Sequence, residues 1–511
     1  MAAAAAGKLA YTAVADIAGV VSGAREAFLS GRTLSMKWRK QQLRGILQMV
    51  KENEEAIVQA LHADLRRPKF EGVIMEVSTV IAEATHALEH VDQWVKPETV
   101  STPIGAIPGS SAVQRQPKGV VFIISPWNYP LQLILNPLVA AVAAGNTAVL
   151  KPSECSPHCA ALVSELVPKY LDASAIQVVQ GAVPETTELL KQQADHIVYT
   201  GNPMVAKIVM RAAAEHLTPV TLELGGKSPA FITADADLDA AARRIVQGRW
   251  ANNGQTCVAS DYLLVDSSIK ASFLAKLKAA LLAAYGENPQ QSDSYGRIVN
   301  TRHWDRIKAL IDSAKVGEEG SSAKLVAGGS HDREDLYIAP TIIADPDPAC
   351  ALMQEEIFGP VLPVLGYDRL EDAVAFVNSG DRPLALYVFC KDAAVADKVL
   401  AHTTSGSACV NDCLVQNGNP HLPFGGVGTS GMGAYHGKWG FDEFSHCKAV
   451  MHHPSYPLLD PAERYAPYNN KNIPMLRLLL ELDSIPTWVQ VAGAVVATGA
   501  AAAIASAVGA L

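Results

Sequence analysis

The chain has no surplus of basic residues: 42 Lys and Arg stand against 51 Asp and Glu, a formal charge of -9 over 511 residues. Nucleic-acid binding, which needs a basic face to meet phosphates, is not supported. Cysteine is also sparse, with 8 scattered along the length. That excludes a disulfide framework and fits reduced thiols in a cytosolic compartment. Cys155/Cys159 and Cys409/Cys413 have a spacing that could hold a metal. No His/Cys pair follows at zinc-ligand spacing, so no metal is expected. His158, His196, His303, His421 and His436 have no paired ligand spacing either and read as structural. The alanine run Met1–Gly7 lacks the basic start and long apolar stretch of a secretory signal. Internal repeats are absent, and low complexity is confined to the alanine-rich ends.

What is present is ordinary globular material, with 49% hydrophobic and 18% charged residues. A chain of this length is expected to bury a large core and split into two or three domains. Helical periodicity runs through Trp38–Val50 and Glu52–Leu65, then through Glu71–Val95 after Pro68. From Gly119 short β-branched runs alternate with helical segments. Strands are expected at 119–125, 147–150, 176–180 and 196–200, and helices at 131–144, 157–170, 185–193 and 203–215. This alternation predicts a parallel sheet covered by helices. Such sheets bind ligands at the carboxyl ends of their strands. The mixed pattern of 237–410 predicts a second α/β domain. No charged residue follows Asp483, and 488–511 is Val/Ala-rich and long enough, as a helix, to cross a bilayer core. A membrane anchor is one expectation for it. An alanine-rich extension on a soluble enzyme is the other, favoured by Gln490 and three glycines.

Three local sequences carry candidate chemistry. Asn253-Gly-Gln-Thr-Cys257 sets a cysteine among small and polar residues. Thr221-Leu-Glu223-Leu-Gly-Gly ends an apolar strand in a carboxylate. Ser125-Pro-Trp-Asn128-Tyr-Pro130 is a turn just after a strand. Singly, each has a structural reading as core filler, turn residue or packed loop. Together they offer a nucleophile, a general base and an amide donor, which acyl chemistry at sulfur requires.

These sequences resemble the signatures of the aldehyde dehydrogenase superfamily. Leu222–Pro229 is similar to its glutamate signature and Gly254–Cys257 to its cysteine signature. Pro126–Pro130, Lys151–Glu154, Glu355–Pro360 and Pro423–Gly428 match further motifs in the family's order. The likeness covers about 23–448. Ser430–Lys438 and Phe441–His446 resemble the class 3 branch, which includes microsomal fatty aldehyde dehydrogenases and plant relatives.

The resemblance implies an α/β fold with a Rossmann-like cofactor domain (1–97 and 119–223) and an α/β catalytic domain (224–409). It further implies a small bridging β element (98–118 and 410–448) that joins a homodimer. A C-terminal extension (449–487) and the candidate anchor (488–511) follow. The implied activity is NAD- or NADP-dependent oxidation of medium- or long-chain aliphatic or aromatic aldehydes to acids. Cys257 would be the nucleophile, Asn128 an oxyanion donor and Glu223 the base that activates water. Cofactor contacts would fall on Trp127, Lys151, Glu154, Gly201, Asn202, Val205, Ala206, Leu224, Gly225, Glu356 and Phe358. Tyr129 and Phe424 would face the aldehyde. The family's phosphate turn is Gly-Ser-x-x-x-Gly. Here Asn202 stands for the serine and Ala206 for the second glycine, one methyl more where the cofactor packs closely. The class 3 likeness and the tail together imply the cytosolic face of the endoplasmic reticulum, with a soluble cytoplasmic enzyme as the alternative. Two rival functions use the same residues. A cysteine hydrolase would leave Lys151, Glu154, Glu356 and Phe358 without a role, and a non-catalytic scaffold would leave Cys257, Glu223 and Asn128 without one.

Overall fold

The computed structural model describes residues 9–103, 106–107, 109–455 and 464–481. The chain forms two compact units. The larger runs to Trp94 and resumes from Pro117 to Ser445; the smaller holds Val95–Gln116 and the residues from His446 on.

In the larger unit the β-branched run Val120–Ile124 is a strand buried at every position. That is what a parallel sheet covered on both faces requires. Thr147–Lys151, Ile176–Val178, His196–Thr200 and Val220–Glu223 join it in parallel. Val120–Ile124 lies in the middle, between Thr147–Lys151 on one side and His196–Thr200 on the other. The winding direction reverses there, which opens a crevice at the carboxyl ends of those strands. The helix Gln132–Ala144 ends where expected, with Gly145 left-handed at φ 93° and its N–H on Ala141 and Val142 carbonyls. Ile17, Val21 and Ala24 of the helix Ile17–Leu29 pack into the same core as Val120, Phe122 and Ile197.

A second, seven-stranded sheet follows the order Lys324–Ala327, Thr341–Ala344, Val361–Tyr367, Tyr262–Asp266, Pro229–Ile232, Ala385–Phe389, Ser407–Val410. All its pairings are parallel except that of Lys324–Ala327 with Thr341–Ala344. The expected helical run 71–95 contains a wider π turn at Val73–Val77 before the helix Ser78–Trp94. Such turns are often found at functional sites.

The smaller unit carries a three-stranded sheet of Glu98–Val100, Ser110–Pro117 and Ser445–His452. Of the segment 410–448, the strand Ser445–His452 begins the part that joins this sheet. Val410 ends the edge strand of the second sheet. Gly431–Met432 pairs antiparallel with Leu222–Glu223. Those backbone pairings hold the residues up to Ser445 in the larger unit. No helix among the described residues is long and apolar enough to cross a membrane. The stretch 488–511 lies outside the described residues.

Candidate active site

Cys257 owes its place to a tight reversal of the chain. The helix Leu238–Trp250 stops, and Asn252 (φ 51°), Asn253 (φ 55°) and Gly254 (φ 71°) follow in the left-handed region. Asparagine tolerates that conformation better than most side chains. At Gly254 a Cβ would meet the Gly359 carbonyl at 2.3 Å, so only glycine fits. Gln255 pins the loop: its amide donates to the Asn252 and Arg297 carbonyls at 3.1 and 3.0 Å and accepts the Val299 N–H at 3.0 Å. Cys257 is then presented, partly buried, ahead of the strand Tyr262–Asp266. Burial first, then the carboxylates Glu356 and Glu223, push its thiol well above the usual range.

Asn128 sits in the turn after the strand Val120–Ile124, at the crevice, and is 2% exposed. Its side-chain amide donates to the Gln255 carbonyl at 3.0 Å, two residues before Cys257. One of its two N–H groups is used this way, which fixes the plane of the amide. Next to it, the Tyr129 hydroxyl lies 2.8 Å from the Thr256 hydroxyl. The sequence placed these segments 127 residues apart; the fold puts them in direct contact.

Glu223 is the last residue of its strand, 1% exposed, and neither carboxylate oxygen has a hydrogen-bond partner. Burial, reinforced by Glu443, raises its pKa well above the carboxylate range. A group held like that is a base that takes up a proton readily. The Tyr435 hydroxyl is also buried without a partner. Burial raises its pKa, and Glu223 and Cys257 raise it further, so it shares their surroundings. Tyr435 lies in the segment Ser430–Lys438, whose sequence alone carries no catalytic signal. Phe424 is buried, bridges to Tyr435 through the backbone and stacks on His436 with ring centres 5.2 Å apart.

The expected cofactor residues fall on the ends of strands of the first sheet and the turns after them, and on the segment that leads into Val361–Tyr367 of the second. Lys151 closes its strand, with Nζ 2.7 Å from the Pro152 carbonyl and 3.3 Å from Glu154. Asn202 caps the twelve-residue helix Pro203–Ala214, accepting the Val205 N–H at 3.0 Å. Gly201 lies against Tyr199, whose hydroxyl a Cβ would meet at 2.2 Å. Ala206 is buried in the apolar core under the sheet. That core position gives the extra methyl apolar neighbours to pack against. Leu224 donates its N–H to the Ser430 carbonyl at 3.0 Å. Gly225 approaches Glu356 so closely that a Cβ would meet its carboxylate at 2.2 Å. Trp127 packs edge-to-face on Phe358 with ring centres 5.4 Å apart, and Phe358 is left-handed at φ 48°.

These residues fit a dinucleotide. Glu356 Oε1 is a buried acceptor without a partner, suited to a ribose hydroxyl. Burial, with Asp261 adding to it, raises the Glu356 pKa to about 8. The start of the helix Pro203–Ala214 presents a positive dipole end suited to a phosphate, with the Val205 N–H held by the Asn202 side chain.

Comparison with known proteins agrees with this geometry. The model of the aldehyde dehydrogenase family matches residues 2–450. A dimeric NADP-preferring aldehyde dehydrogenase of Rattus norvegicus is 48% identical over 438 residues, covering 86% of this chain and 95% of the rat protein. Aldehyde dehydrogenase family 3 member A2 of Macaca fascicularis is 46% identical over 431 residues, covering 84% of this chain and 87% of its own length. Among solved structures, a substrate-bound AldH of Staphylococcus aureus superposes with a TM-score of 0.86 at 39% identity, covering 90% of this chain and 99% of that one.

Proposed function

The chain belongs to the aldehyde dehydrogenase family, and from that premise we propose how its own residues carry the reaction. It oxidises aldehydes to carboxylic acids with NAD or NADP as the cofactor. The observation that carries the assignment of roles is the direct tie between the Asn128 amide and the Cys257 loop, at 3.0 Å through Gln255.

Cys257 Sγ, once deprotonated, adds to the aldehyde carbon. The tetrahedral thiohemiacetal bears an alkoxide, which the second N–H of the Asn128 amide and the backbone N–H of Cys257 stabilise. An aldehyde carbon is too electron-poor to release hydride; the alkoxide is not. The nicotinamide, when bound, supplies the acceptor for that hydride. Cys257 is left as a thioester. Glu223 takes a proton from water, the resulting hydroxide adds to the thioester carbon, and the acid leaves as Cys257 regains its thiol. Lys151 and Glu154 hold the adenosine ribose and Glu356 and Phe358 the nicotinamide ribose. Trp127, Gly201, Asn202, Val205, Leu224 and Gly225 contact the cofactor at the strand ends, and Ala206 packs behind them in the core. Tyr129 and Phe424 face the aldehyde. In this reading 1–97 and 119–223 bind the cofactor and 224–409 supplies the nucleophile.

An aldehyde chain-length series with NAD and NADP side by side tests the reading. One NADH or NADPH per acid formed is expected, with medium- and long-chain aliphatic or aromatic aldehydes preferred. Ester hydrolysis without aldehyde oxidation would favour the cysteine-hydrolase rival.

The pairing of subunits and the location are part of the same reading. A homodimer, as the rat relative's name states for that protein, fits the smaller unit's sheet as a joining element. The uncharged 488–511 stretch, led by Trp488, anchors the enzyme at the cytosolic face of the endoplasmic reticulum. Fractionation of cells expressing the full chain and a version ending at Asp483 checks this. Full-length protein in the soluble fraction at low salt contradicts it.

A further inference from the structure

Beyond the Asn128–Gln255 hydrogen bond, the Asn128 turn and the Cys257 loop are joined by a further set of buried hydrogen bonds. Asn252 lies at its centre, 3% exposed. Its side-chain amide uses both N–H groups, one on the Asn128 carbonyl at 2.9 Å and one on the Gln255 carbonyl at 3.0 Å. The Gln255 carbonyl is the same atom that fixes the Asn128 side chain. Asn252 therefore spans the gap between oxyanion donor and nucleophile loop with one rigid, planar group.

Asn252 is itself held. Its backbone N–H donates to Glu71 at 3.0 Å. On the other side, Arg67 donates to the Asn128 carbonyl and to Glu76. Both side chains of that ion pair are fully buried. Glu76 accepts the N–H groups of Leu131 and Gln132 at 3.0 and 2.7 Å, which closes the far end of the turn. The Arg67 guanidinium also lies 4.7 Å from the centre of the Tyr129 ring. Arg67, Glu71 and Glu76 all come from the segment around the π turn. A carbonyl has two lone pairs, and with Arg67 and Asn252 both donating to it the Asn128 peptide cannot rotate without losing one charge-assisted and one neutral hydrogen bond.

We propose that Asn252, braced by Glu71 and by the Arg67–Glu76 pair, is a positioning residue that sets the orientation of the Asn128 amide for the oxyanion. The proposal rests on the oxyanion role assigned to Asn128. Asn252 makes its contribution through Asn128, so its loss should cost nothing once the Asn128 amide is gone.

A double-mutant cycle reads this directly. Asn252→Gly removes the amide at a position whose φ of 51° glycine adopts without strain. With kcat, aldehyde KM and cofactor Kd measured for each variant, Asn128→Ala should lower kcat by about 10²-fold or more. Asn252→Gly should lower kcat by about tenfold or more, with KM and Kd within about threefold, because the loss falls on the transition state. The double variant should match Asn128→Ala within about twofold. Arg67→Lys keeps the charge facing Glu76 but shortens the reach to Asn128. It should show a smaller kcat loss that likewise vanishes in the Asn128→Ala background, and it serves where Asn252→Gly folds poorly. Equal losses in both backgrounds, or an Asn252→Gly enzyme within about twofold of wild type, overturn the positioning role. A near-normal Asn128→Ala enzyme overturns the oxyanion reading itself, and the positioning role with it.

Discussion

The two sides of the candidate site are built oppositely. Around Asn128 the carbonyls and amides are tied to one another: Arg67 and Asn252 hold its carbonyl, Gln255 holds its side chain, and Glu76 holds the turn beyond. At Glu223 both carboxylate oxygens, and at Glu356 the Oε1 atom, lie buried without a hydrogen-bond partner. Leaving such an acceptor unpaired costs about 1–3 kcal/mol, more when it is charged. Paired groups cannot move and so suit a fixed oxyanion site. Unpaired acceptors are stable only as neutral acids or when something donates to them, which suits water and ribose hydroxyls. One wall is finished before ligands arrive, and the other is finished by them.

The largest expected effect breaks the finished wall at its product, the nucleophile. Cys257→Ser should lower aldehyde oxidation by about 10³-fold or more, since a serine hydroxyl is scarcely ionised near neutral pH. Cofactor affinity, measured by fluorescence titration, should stay near wild type. Turnover within tenfold of wild type would contradict the assignment.

Glu356→Gln acts on the unfinished wall. The carboxyl titrates near 8 when folded, against 4.5 as its ordinary value. The folded chain thus keeps a proton that the unfolded chain releases, and stability falls as pH rises. The contribution of this group is complete below its unfolded pKa and is lost as pH rises through the folded value. A glutamine does not titrate. The melting temperature of Glu356→Gln should therefore exceed that of wild type by several degrees above about pH 8, with the gap narrowing toward about pH 5. A gap independent of pH would show that Glu356 is already ionised and paired.

The smallest effect is expected at the rim. Glu154 is about one-third exposed, with Lys151 beside it. A carboxylate there favours a ribose 2′-hydroxyl over a 2′-phosphate by charge repulsion, and solvent weakens that preference. Glu154→Gln should raise the NADP-to-NAD ratio of kcat/KM by about three- to tenfold. An unchanged ratio would place the discrimination elsewhere.

The difference between the walls also explains what could be read from the sequence. The runs Val-Val-Phe-Ile-Ile and Thr-Ala-Val-Leu announce buried parallel strands, and Gly145 announces a helix end. Catalytic candidates at strand ends, such as Glu223 and Asn128, follow from that pattern together with local motifs. The bracing of Asn128 does not follow. Glu71 reaches Asn252 across 181 residues, and nothing near either residue signals the bond. The doublet Asn252-Asn253 before Gly254 is a local sign of a left-handed turn, but it does not show what the Asn252 side chain reaches. Tyr435 was hidden for a similar reason, since its unpartnered hydroxyl is a property of its surroundings rather than of its neighbours in the chain. The two-residue strand Gly431–Met432 is too short to show a period, so its pairing with Leu222–Glu223 is not legible in the sequence.

The central claim is that Cys257 carries an acyl group which Glu223 releases. Rapid mixing of Glu223→Gln with aldehyde and cofactor tests it most directly. The account predicts a burst near one NADH per site followed by turnover about 10²-fold slower than wild type, because hydride leaves before water must be activated. A mutant that slows the burst and the steady state equally would contradict it.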